Sequence, residues 1–265
     1  MVEQVDNPLV ELHNLTVAYF NKPAIWNVDY TLPKGQMIGI IGPNGSGKTT
    51  MLKAIMGLVQ PSSGYVKLFG KELNEVRTKI AYVPQRGSVD WDFPASVFET
   101  VLMGRFRKNN LFQRTTKEDK KIAMEALEKV QLESFKNRQI SQLSGGQQQR
   151  VFIARALAQQ ADLYLLDEPF AGVDVATENA IITLLKQMIS EQKTAIVVHH
   201  DLQTVQEYFT WLVMMNTRLI ASGPADKVFN AEILQQTYGG ALNILSKVGE
   251  VLKQQAYPVR EKKRK

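Results

Sequence analysis

Eight residues constrain this chain more than any others: Gly42-Pro43-Asn44-Gly45-Ser46-Gly47-Lys48-Thr49. They fit G-x-x-x-x-G-K-[ST], a loop whose backbone N–H groups turn inward around phosphate oxygens. That loop works only between a strand and a helix, and the flanking sequence offers both. Met37-Ile38-Gly39-Ile40-Ile41 is a short unbroken apolar run, as expected of a strand buried on both faces of a parallel sheet. Thr50 to Met56 spaces its apolar residues as a helix does, and Gly57 ends the run. A chance Gly-rich loop is the plain alternative, and it accounts for neither flank. In the phosphate reading, Gly42 to Gly47 form the cradle and the helix N-terminus at Thr49-Thr50 adds partial positive charge. Lys48 reaches the β- and γ-phosphates of a nucleotide, and the Thr49 hydroxyl holds Mg²⁺. The expected fold class is α/β.

The whole chain narrows the possibilities further. At 265 residues and 44% hydrophobic content it can form one large domain, or a domain with a subdomain. No apolar stretch is long enough to span a bilayer, and the start Val2-Glu3-Gln4-Val5-Asp6 is too acidic for a signal peptide, so a cytosolic protein is expected. With no cysteine, disulfides, thiolate metal sites and cysteine nucleophiles are excluded. The net charge of +6 comes mostly from the tail Arg260-Glu261-Lys262-Lys263-Arg264-Lys265. Such a tail could meet nucleic acid or anionic lipid, but it is more often a solvated terminus. The near-neutral body gives no argument for nucleic-acid binding.

Alternation of polar and apolar residues predicts strands at Leu9–Val17 and Trp26–Leu32 before the phosphate loop, and at Tyr65–Gly70 and Ile80–Pro84 after it. From about 88 to 160 the pattern turns helical. Ser96 and Glu99 form a capping box for a helix through Gly104, and helices follow around Ile122–Val130 and Val151–Leu157. Strand and helix then alternate again: Leu163–Leu166, Val175–Glu191, Thr194–Val198, and a helix after Asp201. Trp211–Met215 and Arg218–Ala221, joined by Asn216-Thr217, read as a terminal hairpin. The organisation is an α/β core over 1–240 with a helical insert at about 88–160, then a helical extension and basic tail at 241–265.

Two further tracts carry phosphate chemistry. Leu163-Tyr164-Leu165-Leu166-Asp167-Glu168 is a buried strand ending in two carboxylates. Asp167 suits Mg²⁺ coordination, and Glu168 can polarise a water for attack on the γ-phosphate. Taken alone, adjacent acids at a strand end usually mark a solvated exit. Leu143-Ser144-Gly145-Gly146-Gln147-Gln148-Gln149-Arg150 precedes a helix and can present N–H groups and a hydroxyl to an anion. Its simpler role is a helix cap by Ser144.

The phosphate loop, the Ser-Gly-Gly tract and Leu-Leu-Asp-Glu-Pro, in this order, resemble an ATP-binding cassette (ABC) ATPase over nearly the whole chain. The resemblance implies a P-loop NTPase with a RecA-like α/β core, an antiparallel β subdomain and a helical insert. It implies that Tyr19 stacks on adenine, although a lone tyrosine more often packs. Gln85 after Tyr82-Val83-Pro84 becomes the glutamine that reaches Mg²⁺ and the attacking water. Asp174 in Ala171-Gly172-Val173-Asp174 falls in the tract the family usually writes Ser-Ala-Leu-Asp. His200 in His199-His200-Asp201-Leu202 becomes the switch histidine at the γ-phosphate, leaving His199 without a role. The cofactors implied are ATP and Mg²⁺. Since the Ser144-Gly145-Gly146-Gln147 signature serves a nucleotide held by another subunit's loop, a homodimer of cassettes is implied.

The compact insert argues against repair-type members with long coiled coils, and 265 residues cannot hold the paired cassettes of translation-type members. Pro84-Gln85-Arg86-Gly87-Ser88-Val89-Asp90-Trp91-Asp92-Phe93-Pro94 together with Val101-Leu102-Met103-Gly104-Arg105 is similar to the cassettes of bacterial manganese, zinc and iron uptake systems. That similarity implies an ATPase on the cytoplasmic face of the inner membrane, peripheral to an integral membrane permease. A periplasmic or lipid-anchored metal-binding protein would deliver the cargo, manganese foremost. Trp91 and Phe93 would be exposed anchors for the permease, or else fill the insert's core. A soluble ATPase of an assembly complex, such as iron–sulfur cluster assembly, is the competing class, and an exporter cassette the rival within transport.

Overall fold

The computed structural model describes residues 1–105 and 115–239; the expected extension and basic tail at 241–265 lie outside them. Nine strands appear in this region: β1 (Val10–Tyr19), β2 (Lys22–Leu32), β3 (Met37–Ile41), β4 (Ser63–Leu68), β5 (Ile80–Val83), β6 (Leu163–Asp167), β7 (Thr194–His199), β8 (Trp211–Asn216) and β9 (Arg218–Pro224). The helices are α1 (Lys48–Ile55), α2 (Leu73–Val76), α3 (Val97–Leu102), α4 (Lys117–Lys129), α5 (Gly145–Ala158), α6 (Val175–Ser190), α7 (Val205–Tyr208), α8 (Ala225–Val228) and α9 (Ala231–Tyr238).

The strands form two sheets. One has three antiparallel strands in the order β2-β1-β4; the other has six in the order β5-β6-β7-β3-β8-β9, parallel except for β9. Unbroken apolar runs end up in the middle of the larger sheet: all five residues of β3 and all six of β7 are buried. Alternation along these strands splits the core into two layers. Ile38, Ile40, Leu163, Leu165, Ile196 and Val198 point toward a layer with the antiparallel sheet and the α1 residues Met51, Leu52 and Ile55. Met37, Ile41, Tyr164, Leu166, Ala195 and Val197 point the other way, into a layer with α5 and α6. The sheet is therefore covered on both faces, as a parallel sheet requires.

The helices of the expected insert hold together locally. Ser96 caps α3 through its reciprocal box with Glu99, and Thr116 does the same for α4 with Asp119. The Arg105 guanidinium bonds Asp119 at 3.0 Å and the Ala158 carbonyl at 2.8 Å, tying the end of α3 to α4 and α5. One expectation needs correction, and two others are met in a sharper form. The helix from Ser96 ends at Leu102 and closes in a 3₁₀ turn over Met103–Arg105 rather than running through Gly104. The helix after Asp201 is one turn, α7. The expected terminal hairpin forms from β8 and β9, and β8 also pairs in parallel with β3, so the hairpin completes the main sheet.

Candidate nucleotide site

Parallel pairing brings four strand ends to one edge. Ile41 sits opposite His199, Asp167 opposite Val198, and Val83 opposite Leu166. The segments leaving β3, β5, β6 and β7 thus emerge side by side at the carboxyl edge of the sheet, where α/β folds place their ligands. A cleft of about 510 Å³ opens there. Tyr19, Asn44, Gly45, Ser46, Gly47, Lys48, Thr49, Thr50, Gln85 and Glu168 all line it.

The loop itself is built by close backbone approach. A Cβ on Gly42 would sit 2.1 Å from the Met215 carbonyl oxygen, and one on Gly47 would sit 2.4 Å from that of Ala24. Gly47 also takes φ +95° as the residue before α1, which only glycine adopts without strain. Lys48 is buried, and its Nζ donates to the carbonyls of Gly42 at 2.8 Å and Pro43 at 2.9 Å. Burial lowers its pKa, against the opposing pull of the Glu168 and Asp167 charges. The ammonium is fixed at the mouth of the loop by backbone oxygens, with its charge little screened.

Carboxylates face it from β6. Asp167 is fully buried, accepts from the Thr49 hydroxyl at 2.9 Å through Oδ1, and keeps Oδ2 buried without a hydrogen-bond partner. Burial raises its pKa, the Thr49 hydrogen bond working the other way. Glu168 follows with φ +50°, a left-handed conformation that is costly for a residue with a side chain. That twist turns its carboxylate out of the strand and into the cleft, where Oε2 accepts from Gln85 Nε2 at 2.8 Å.

The other expected residues fall into two groups. His200 is exposed just past the end of β7, while His199 is buried. Their rings lie 6.0 Å apart between centroids, so the two do not point to opposite sides of the strand. The signature residues Ser144, Gly145, Gly146 and Gln147 do not line the cleft; they open α5, where Ser144 caps the helix in a box with Gln147. Asp174 caps α6, accepting from the Thr177 amide at 2.8 Å. Of the two aromatics expected as exposed anchors, Phe93 is 54% exposed. Trp91 is not. Its indole N–H donates to the Arg86 carbonyl at 2.9 Å and its ring stands edge-on to Phe152, 5.0 Å between centroids.

With this geometry in place, sequence comparison settles the family. A family model described as ABC transporter matches residues 25–171, more than half of the chain. The chain belongs to the ABC transporter family. It is 56% identical to the manganese transport system ATP-binding protein MntB of Bacillus subtilis, over 89% of the cassette and 94% of that protein. It is 53% identical to the zinc transport system ATP-binding protein TroB of Treponema pallidum, over 88% of both. Among solved structures, the ATP-binding cassette MJ0796, a dimer in a post-hydrolysis state bound to ADP and Pi, aligns with TM-score 0.69 at 31% identity. That match spans 81% of this chain and 98% of the other. A nucleotide-free ATP-binding cassette from an ABC transporter aligns at TM-score 0.73 and 25% identity over 87% and 94%. The cassette is accordingly an ATP-binding ATPase subunit of a transport system, with the α/β ABC fold. None of the helices among the described residues is long and apolar enough to cross a membrane.

Sequence reasoning gave His199 no task, and the cassette gives it a structural one. Its Nε2 is 2.8 Å from the Thr204 hydroxyl, and its ring packs among Phe170, Tyr208 and Phe209. Burial, and secondarily the neighbouring His200, pushes its pKa down to about 4. The unfolded chain takes up this proton near the ordinary value of about 6.5. Between there and about 4 the unfolded state binds more protons, so the cassette loses stability as pH falls through that window. The whole effect is about 3 kcal/mol. Denaturant midpoints at pH 7.5 and pH 5 check it: His199→Thr should lose less stability between them than the parent. Equal losses would show that His199 does not titrate this way.

Proposed function

We propose that this cassette is the ATP-hydrolysing subunit of a transition-metal importer, with manganese as cargo ahead of zinc, on the cytoplasmic face of the cell membrane. The observation that carries the proposal is the 56% identity to a manganese transport ATP-binding protein over nearly the full length of both chains. A second manganese relative, MntB of Halalkalibacterium halodurans, at 50% identity over 93% of the cassette, supports the same order. These names do not mention iron. The working unit in this reading is residues 1–240, carrying the helical insert at about 88–160. An integral membrane permease is the partner that the cassette drives.

In the proposed site Tyr19 stacks on adenine, Gly42 to Thr50 hold the phosphates, and Lys48 neutralises the β- and γ-phosphates. The donor set suits Mg²⁺, a hard ion that takes oxygen ligands. The Thr49 hydroxyl, the orphaned buried Oδ2 of Asp167 and the amide oxygen of Gln85 are oxygens of this kind. When bound, the ion would offset charge on the β- and γ-phosphate oxygens. Glu168 is the general base for the attacking water, Gln85 orients it, and His200 contacts the γ-phosphate. Since Ser144 to Gln147 stand outside the cleft of their own chain, they suit a nucleotide held by a second copy. The relative MJ0796 forms a cassette dimer, which fits that arrangement.

An importer cassette should be encoded beside a permease and a periplasmic or lipid-anchored metal-binding protein. Co-expression with such a permease, followed by reconstitution into vesicles with the binding protein, tests the reading. ATP-dependent accumulation of radioactive manganese, exceeding that of zinc, is the expected result. A cassette that hydrolyses ATP but purifies only with soluble partners would overturn it in favour of an assembly role.

A further inference from the structure

Arg86 follows Gln85 directly, and its surroundings differ from those of an ordinary surface arginine. A Cβ built on Gly145 would lie 2.8 Å from the Arg86 Cζ and 2.9 Å from its Nη1. The guanidinium therefore lies flat on the backbone that opens α5, in room that only glycine leaves. Its Nη2 donates to Gln148 Oε1 at 3.0 Å, and the buried Gln148 is held in turn by its own amide donating to the Ile140 carbonyl at 3.2 Å. The Arg86 Cζ also lies over the Trp91 ring, 5.9 Å from the centroid. The backbone of Arg86 is fixed as well, through the Trp91 indole on its carbonyl and the packing of Trp91 on Phe152 of α5. The Nε–H is buried without an acceptor, a cost that a space-filling residue would not carry.

We propose that Arg86 is a positioning residue that locks the segment carrying Gln85 to the Ser144–Gln147 turn, so that the two move together. One peptide bond then joins two sites. Gln85 holds the carboxylate of Glu168, and Arg86 holds the head of α5. When the turn closes on a nucleotide in the second copy, the lock carries that displacement to Gln85 and Glu168 in its own chain. Hydrolysis at one site thereby answers to closure at the other. Arginine suits the task because its planar, delocalised cation can lie on a peptide, stack on an indole and donate in one plane; lysine can do only part of this. The inference rests on the roles proposed above for Gln85, Glu168 and Ser144 to Gln147.

The test is a mutant cycle in the full-length chain: Arg86→Met, Gln148→Leu, the pair, and Arg86→Lys, each assayed for ATP hydrolysis and for binding of a fluorescent ATP analogue. A misplaced catalytic segment predicts that Arg86→Met and Gln148→Leu each lower kcat about tenfold, with analogue affinity within about twofold of the parent. The double variant should be no slower than the slower single, because both remove one connection. Arg86→Lys keeps the charge and serves as the second variant should Arg86→Met fold poorly; it should lose about threefold or more in kcat at unchanged affinity. A general loss of structure would lower melting temperature and active fraction without separating kcat from binding. Parent-level kcat in Arg86→Lys and Arg86→Met overturns the proposal, and so do single effects that multiply in the pair. Glu168→Gln, run alongside, separates the two claims. If it stays active, the site assignment itself fails; if it is inactive while the Arg86 variants hydrolyse normally, only the lock falls.

Discussion

Glu168→Gln should bind ATP as tightly as the parent and turn it over about 10³-fold more slowly, within the range by which a positioned general base accelerates proton transfer. The substitution is nearly isosteric, so the φ of +50° at this position is no harder for glutamine than for glutamate. What changes is chemistry. The carboxylate oxygen that accepts from Gln85 Nε2 at 2.8 Å can take a proton from an attacking water, and an amide cannot. Binding rests on other groups, chiefly the loop amides and the Lys48 ammonium, and removing one negative charge from the cleft should favour the anionic nucleotide slightly. Because hydrolysis would be what reopens a nucleotide-sandwich dimer, the variant should also accumulate as an ATP-bound dimer on size-exclusion chromatography. Turnover within tenfold of the parent would remove Glu168 from the role of base.

Most of this site was legible in the sequence because its parts are local. A phosphate loop needs a strand, glycines and a helix within twenty residues, and the apolar run of β3 and the periodicity of α1 supplied them. Residues at the ends of parallel strands were legible too, since the sheet brings such ends to one edge whatever the order of its strands. The rest depended on contacts between segments far apart in the chain. Nothing in Trp91 itself says whether it faces solvent; Phe152, sixty-one residues on, turns it inward. His199 carried no role in the sequence, and its partner Thr204 could not be named, because a one-turn α7 leaves no periodic pattern. Arg86 looked like any charged residue after a strand, since the glycine that makes room for it lies in a motif with an apparent purpose of its own. The pairing of β8 with β3 was hidden for a related reason: a hairpin signal is short-range and says nothing about the strand on its other side.

Lys48→Ala should weaken ATP binding roughly a hundredfold. Its ammonium is the one positive side chain lining the cleft among the described residues, and a hydrogen bond to a charged group is worth about 1.5–3 kcal/mol. In a partly buried site facing two phosphates the loss should reach the upper part of that range, roughly a hundredfold in affinity. Two contributions must be kept apart, because Lys48 also donates to the carbonyls of Gly42 and Pro43 and so holds the loop in shape. Thermal denaturation separates them. If Lys48 served only the loop, the alanine variant would melt lower without nucleotide but still gain stability when ATP is added. If Lys48 binds the phosphates, the ATP-dependent shift itself collapses, to about 0.4 kcal/mol at roughly a hundred times the parent's Kd. For the parent at a ligand concentration of about a hundred times Kd that shift corresponds to roughly 2.7 kcal/mol, large enough to read directly. Lys48→Arg sharpens the distinction, since it retains the charge but replaces a compact ammonium with a broad fork that the two carbonyls and the narrow loop do not fit. It should recover little of the binding, and full recovery would show that net charge, rather than the placement of this one ammonium by Gly42 and Pro43, is what the nucleotide reads.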